Sequence, residues 1–138
     1  MNYLRIGEAA LAATVCYFVA GGLIFTRPFM RNQFARYPAV YRSERTMRSV
    51  MPFGMLGMLL SMLSLAVLYA RIHPAGGSVA SGIGFGALIG VYALGSFVLH
   101  NHVNLNIGSR LSVYQGVAYF LEWVIAGIAL SLVYRGHP

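Results

Sequence analysis

The stretch VASGIGFGALIGVYALGSFVL, residues Val79–Leu99, carries no charged side chain in 21 positions. As a helix rising about 1.5 Å per residue it would be about 32 Å long, close to the roughly 30 Å hydrocarbon core of a bilayer. Its glycines are a second signal. Gly82, Gly86 and Gly90 recur at i, i+4 and i+8, with Ser78 one step earlier, so a helix here has a flat small-residue stripe on one side. In lipid, apolar side chains gain nothing by leaving their surroundings, and such stripes let two helix backbones approach closely enough to hold together. The stretch predicts a membrane-crossing helix with a packing face.

Three further apolar runs have the required length: Ile6–Phe25, Val50–Tyr69 and Val113–Tyr134. The expected fold is therefore an all-α membrane protein of four transmembrane helices, at about 6–25, 50–69, 79–99 and 113–134, forming one domain over residues 1–138. Composition agrees. Hydrophobic residues make up 58% of the chain and charged residues 9%, where a soluble domain devotes about a quarter to charge. The first run is read as a retained span and not a cleaved leader, because it contains Glu8 and lacks a small-residue cleavage site before Arg27-Pro28. The single cysteine, Cys16, excludes an internal disulfide and sits in an apolar run, as a packed small side chain would.

The formal net charge of +7 does not point to nucleic acid. Six of the ten arginines, Arg27, Arg31, Arg36, Arg42, Arg45 and Arg48, fall in one loop between apolar runs, where anionic lipid headgroups are the natural partner. With Arg110 they place seven arginines after spans 1 and 3, against Arg5, Arg71 and Arg135 on the other side. The positive-inside rule then makes both odd-numbered loops cytoplasmic and puts both termini outside. Within the loop at about 27–48, Thr26 is expected to cap a helix with Pro28 in its first turn. Phe29, Phe34, Tyr37 and Tyr41 alternate with the arginines, as in an amphipathic segment lying at the interface. The glycine stripe leaves open whether its partner is another span or another subunit, but a four-span chain of this size has little room for an enclosed cavity, so a homo-oligomer is expected.

Among the few polar groups inside the spans, Glu122 stands out. It lies near the middle of span 4, in YFLEWVIAG, where an ionised acid costs about 2.5–3.5 kcal/mol on insertion scales. It must be protonated, paired or wet, and intramembrane acids mark proton or substrate paths by default. Gln115, Tyr119 and Ala126 share its helical face. Carrying the glycine stripe of span 3 forward gives Gly90, Ala93, Phe97, His100 and Asn104, so a regular helix places His100 and Asn104 on the packing face. A path through Glu122, Tyr119, Gln115, His100 and Asn104 is the expected site. Glu8, with Ala12, Cys16 and Ala20, is expected to form a small-residue packing face on span 1. His100 and His102 stand at i, i+2 with no carboxylate or thiol nearby in sequence, so no metal site is expected. The chain has no phosphate loop, nucleophile motif or dinucleotide fingerprint, and neither a catalytic residue nor a cofactor is expected.

Three resemblances can be stated on particular residues. Arg27-Pro28-Phe29 after span 1, the Asn101–Asn106 polar stretch and Glu122-Trp123 resemble a group of small bacterial four-helix integral membrane proteins of unknown function, which implies a bacterial inner-membrane location. The arginine-rich first loop, with Glu44-Arg45 and Arg48, resembles the membrane-associated eicosanoid and glutathione metabolism proteins, although Pro52 stands where their motif has Asn. Met47, Met51, Met55, Met58 and Met62 form one face of span 2, and Met58-x3-Met62 before Gly82-x3-Gly86 resembles the eukaryotic-type copper transporters, which implies Cu(I) on thioether ligands. The leading expectation is a proton or small-solute protein using Glu122. The alternatives are a non-catalytic or lipid-interacting membrane subunit, a glutathione-dependent enzyme-like protein, and Cu(I) handling.

Overall fold

The computed structural model describes residues 2–135, and among these the chain is helical without strands. It has four helices long and apolar enough to cross a membrane. They are α1 (Tyr3–Phe25), α3 (Glu44–Ile72), α4 (Val79–Asn104) and α5 (Ser109–Val133), with a short α2 (Pro28–Phe34) after the first. The protein is an integral membrane protein. Spans 2 and 3 outrun the expected bounds for local reasons. Ser43 caps α3, its Oγ accepting from the Thr46 amide at 3.3 Å, so the helix begins at Glu44, before the apolar run. At 29 residues α3 is about 43 Å long, more than the hydrocarbon core needs, and its first turns carry Arg45 and Arg48 beyond the apolar layer.

α5 is the centre of the bundle. It packs on α4 along one side and on α1 along the other, and α3 packs on α1. The α4–α5 seam explains the glycines. A methyl added at Gly82 would lie 2.6 Å from the Gly127 carbonyl oxygen, and one at Gly86 2.8 Å from the Val124 Cα. A methyl at Gly127 would lie 2.8 Å from the Gly86 Cα, so glycine faces glycine across the crossing. Gly90 rests on Phe120. The partner of the stripe is span 4 of the same chain, and the stripe carries no information about association between copies.

The packing face of α1 is also rotated from the expected one. Ala9, Ala10, Ala13, Tyr17 and Ala20 are buried, while Ala12 and Cys16 are half-buried and Glu8 is exposed. Thr26 does not cap α2, whose N-cap is Arg27. It closes α1 instead, its hydroxyl donating to the Gly22 carbonyl at 2.5 Å.

At the end away from the arginine-rich loop, Tyr69 is fully buried and its hydroxyl lies 2.8 Å from Ser81 Oγ. The rings of His73, Phe85 and Tyr134 surround it. Gly76 turns the α3–α4 loop at φ 88°, a conformation L side chains resist. Gly77 leaves room for the Tyr69 hydroxyl, where a methyl would not fit.

At the arginine-rich end, the loop after α1 folds against the start of α5. Phe29 meets Tyr114 edge-on, with ring centroids 5.7 Å apart, and the Tyr37 hydroxyl accepts from the Gly108 amide at 2.9 Å. Tyr37 thereby satisfies an amide at the N-terminus of α5 that no helical carbonyl reaches. We predict that Tyr37→Phe lowers stability by about 1 kcal/mol, read as a lower melting midpoint in detergent. Arg42→Gln, at an exposed position without a protein partner among the described residues, should leave the midpoint in place. Equal effects from the two variants would show that the loop is not docked.

Candidate functional site

One face of α5 is buried along nearly its whole length, through Leu111, Gln115, Ala118, Glu122, Ala126 and Leu130. This is the stripe expected from helical spacing, and Glu122 sits in its middle at 1% exposure. The carboxyl is directed at α1. Gly21 lies against it, so close that a methyl there would be 3.0 Å from Glu122 Oε1. Tyr17, one turn earlier on α1, is itself buried, with its ring against Trp123, the residue after Glu122. Oε1 is left without a hydrogen-bond partner. A buried carboxyl oxygen lacking a partner is costly inside a protein, and more so where no lipid-phase water can replace the partner.

From Glu122 toward the arginine-rich end the surroundings are polar on one line. Tyr119 lies one turn along α5 toward that end and is half-buried, as is Tyr41 of the loop. Tyr41 in turn accepts from Gln115 Nε2 at 3.3 Å. The walls of this line are aromatic. Phe25 and Phe97 flank the Tyr119 ring at 5.5 and 5.3 Å, and Phe34 stands edge-on to Tyr41 at 4.7 Å.

Toward the other end the line stops. Met62, Phe85, Ala126 and Leu130 are all buried there, and the gap they share with Trp123 is too tight for a water molecule. The Trp123 ring stacks at a tilt on Tyr17, 5.1 Å away, and closes the layer.

The structure brings together Glu122, Tyr119 and Gln115. It does not bring His100 or Asn104 to them. Both are exposed, and the Asn104 side chain donates back to the His100 carbonyl at 2.8 Å. The reason is a change of helical phase. α4 passes from α to π geometry over Leu94–Leu99, and the wider i→i+5 turn rotates everything after it. The buried stripe therefore runs Gly90 to Val98, and it is His102, not His100, that faces α5, its Nδ1 2.9 Å from Ser112 Oγ. Nothing in LGSFVL announces a π turn.

Sequence spacing does not mark Tyr17, Gly21 or Tyr41 as site residues. A phenol in mid-span and a Gly21-Gly22 pair four residues on are the available signals, and they point to Glu122 only once α1 is known to pack on α5. Of the arginines, Arg31 pairs with Glu44 and Arg27 Nε donates to the Leu23 carbonyl at 3.2 Å. Arg36, Arg42, Arg45 and Arg48 are exposed, without a protein partner among the described residues. The methionine stripe is split, with Met62 buried and Met47, Met51 and Met55 exposed. Among the described residues no group of three or more His, Cys, Asp or Glu side chains could hold a metal ion.

Comparison with known proteins finds no matching family model, no curated relative and no solved structure with significant similarity.

Proposed function

We propose that this is a small proton-handling membrane protein in which Glu122 takes up and releases a proton through Tyr119 and Tyr41. The observation that carries the proposal is the one-sided polar line. A fully buried carboxyl with an unpartnered oxygen is followed along α5, toward the arginine-rich end, by Tyr119 and by Gln115, which donates to Tyr41. The gap shared by Met62, Phe85, Trp123 and Leu130 toward the other end is apolar and too tight for water. Phenol hydroxyls both donate and accept, so a proton accepted by Tyr119 from the loop side can leave as Tyr119 passes its own to Glu122. Small-solute passage has less support, because Glu122 lines neither the tight gap beside Trp123 nor the apolar groove between α1 and α3. The arginine asymmetry favours the cytoplasmic side of a bacterial inner membrane for this line, with both termini outside.

Infrared spectroscopy of the reconstituted protein after a pH step tests this. A protonated-carboxyl C=O band should change with pH and be absent in Glu122→Gln. Tyr119→Phe should slow the change about tenfold, equivalent to about 1.4 kcal/mol on the barrier. A band that ignores the pH step, or one that survives in Glu122→Gln, overturns the proposal.

A second reading has one observation in its favour. The close fit of the Glu122 carboxyl against Gly21 suits a neutral carboxylic acid acting as an interhelical staple, a contact worth about 0.6 kcal/mol on average in membranes. A staple keeps its proton whatever the bulk pH, so the same spectra separate the two.

A further inference from the structure

α1 and α3 share one buried cluster at the end away from the arginines, through Ala9, Ala13, Met62 and Ala66. Toward the arginine-rich end they part. Every residue of α3 from Met51 to Gly57 is exposed, and between the two helices lies a groove of about 450 Å³. Its lining is apolar: Leu11, Val15, Phe18 and Val19 from α1, with Met55 and Leu56 from α3. The one hydroxyl there, on Thr14, is spent on its own helix, donating to the Ala10 carbonyl at 2.7 Å. The groove offers nothing to a polar solute and much to a hydrocarbon chain.

Toward the arginine-rich end the helices that line it continue into charged sequence. Arg48 precedes Met55 by seven residues, two turns up the same face of α3, and Arg45 lies one further turn along. Arg27 stands just past the end of α1, at the N-cap of α2. The nearby acid, Glu44, is engaged by Arg31. Arg45 and Arg48 have no protein partner among the described residues, and Arg27 uses only its Nε.

We propose that this groove binds one anionic phospholipid, with an acyl chain between α1 and α3 and the phosphate headgroup on Arg27, Arg45 and Arg48. Charge decides the occupant. A second copy in the same orientation would bring its own arginines to the same depth, like charge against like. A zwitterionic lipid carries a compensating cation, whereas an anionic headgroup supplies the negative charge that the arginines lack. The site is independent of Glu122 and stands whether or not that residue exchanges a proton.

A tryptophan placed in the groove reads out the bound lipid. Leu56→Trp puts the reporter at an exposed lining position, and the parent protein supplies the Trp123 signal for subtraction. The protein is reconstituted in phosphatidylcholine vesicles with a minor fraction of acyl-brominated phosphatidylglycerol or, in parallel, acyl-brominated phosphatidylcholine. Phosphatidylglycerol should quench with an apparent affinity about fivefold or more above phosphatidylcholine, about 1 kcal/mol or the contribution of one arginine near the surface. The preference should vanish in the Arg27→Gln, Arg45→Gln, Arg48→Gln triple variant and persist when the same three become lysine. Equal quenching by both lipids, or a preference unchanged by the glutamine triple variant, overturns the proposal. Absence of quenching by either lipid, with disulfide cross-linking between copies carrying Met55→Cys, overturns it in favour of a second copy in the groove.

Discussion

Gly86→Leu is expected to separate α4 from α5. The Gly86 Cα is in contact with the α5 backbone, and even a methyl there would lie 2.8 Å from the Val124 Cα. Backbone cannot rotate away as a flexible side chain does, so the helices must part along the whole seam. Overpacking a well-filled interior costs about 1–3 kcal/mol, and a branched side chain against backbone belongs at or above the top of that range, about 3 kcal/mol. Parting would also undo the Gly82–Gly127 contact one turn on. In detergent the variant should melt well below the parent or fail to fold. Gly84→Leu is the control. Gly84 lies two residues away on the same helix, and a methyl added there would meet nothing within 4 Å, so a leucine points into lipid. It should leave the midpoint unchanged or slightly raised. If both variants melt alike, the α4–α5 seam is not built on glycine.

The second large effect concerns Glu122. Glu122→Gln preserves the shape of the side chain while removing the exchangeable carboxyl proton. Stability should change by about 1 kcal/mol or less, within the range of a single hydrogen bond, and the pH response of the carboxyl band should be lost completely. Glu122→Leu should behave differently. It sets a branched carbon where the carboxyl now lies against Gly21. That variant should be destabilised by about 1–3 kcal/mol. A parent protein whose carboxyl band ignores pH, with a Glu122→Gln variant that loses stability, would favour the staple. A silent but stable Glu122→Gln favours proton exchange.

Much of the architecture was legible in the sequence because the bilayer imposes it. Apolar runs near 20 residues, a central acid on a buried face of span 4 and a glycine repeat in span 3 each follow from one dominant cost: exposing polar groups or leaving gaps in hydrocarbon. The details set by contacts between elements were not legible. The glycine repeat showed that something packs closely but not what, since another span and another copy make the same demand. The π turn at Leu94–Leu99 displaced His100 from the expected face, because helical phase extrapolates only while the helix stays regular. Tyr41 reaches the site from a loop 74 residues before Gln115, a pairing no local spacing encodes. The same holds for Gly21, which had no reason to be linked with Glu122 until α1 was seen against α5.

The divergence of α3 from the bundle follows the same logic. The methionine face looked continuous by spacing, yet only its far half meets α1. The near half is long, exposed and apolar next to a cluster of arginines. That combination suits a lipid with its headgroup at the interface better than a soft-metal ladder, whose ligands would have to converge on an ion.

The central claim is that Glu122 exchanges its proton with the arginine-rich face and is sealed from the other by the Met62–Phe85–Leu130 layer. The most direct measurement is infrared detection of the Glu122 C=O band in vesicles of uniform protein orientation, with a pH step applied to one face at a time. The account predicts a response to the step at the arginine-rich face and none to the step at the opposite face. A response to the opposite face alone, to both faces equally, or to neither would contradict it.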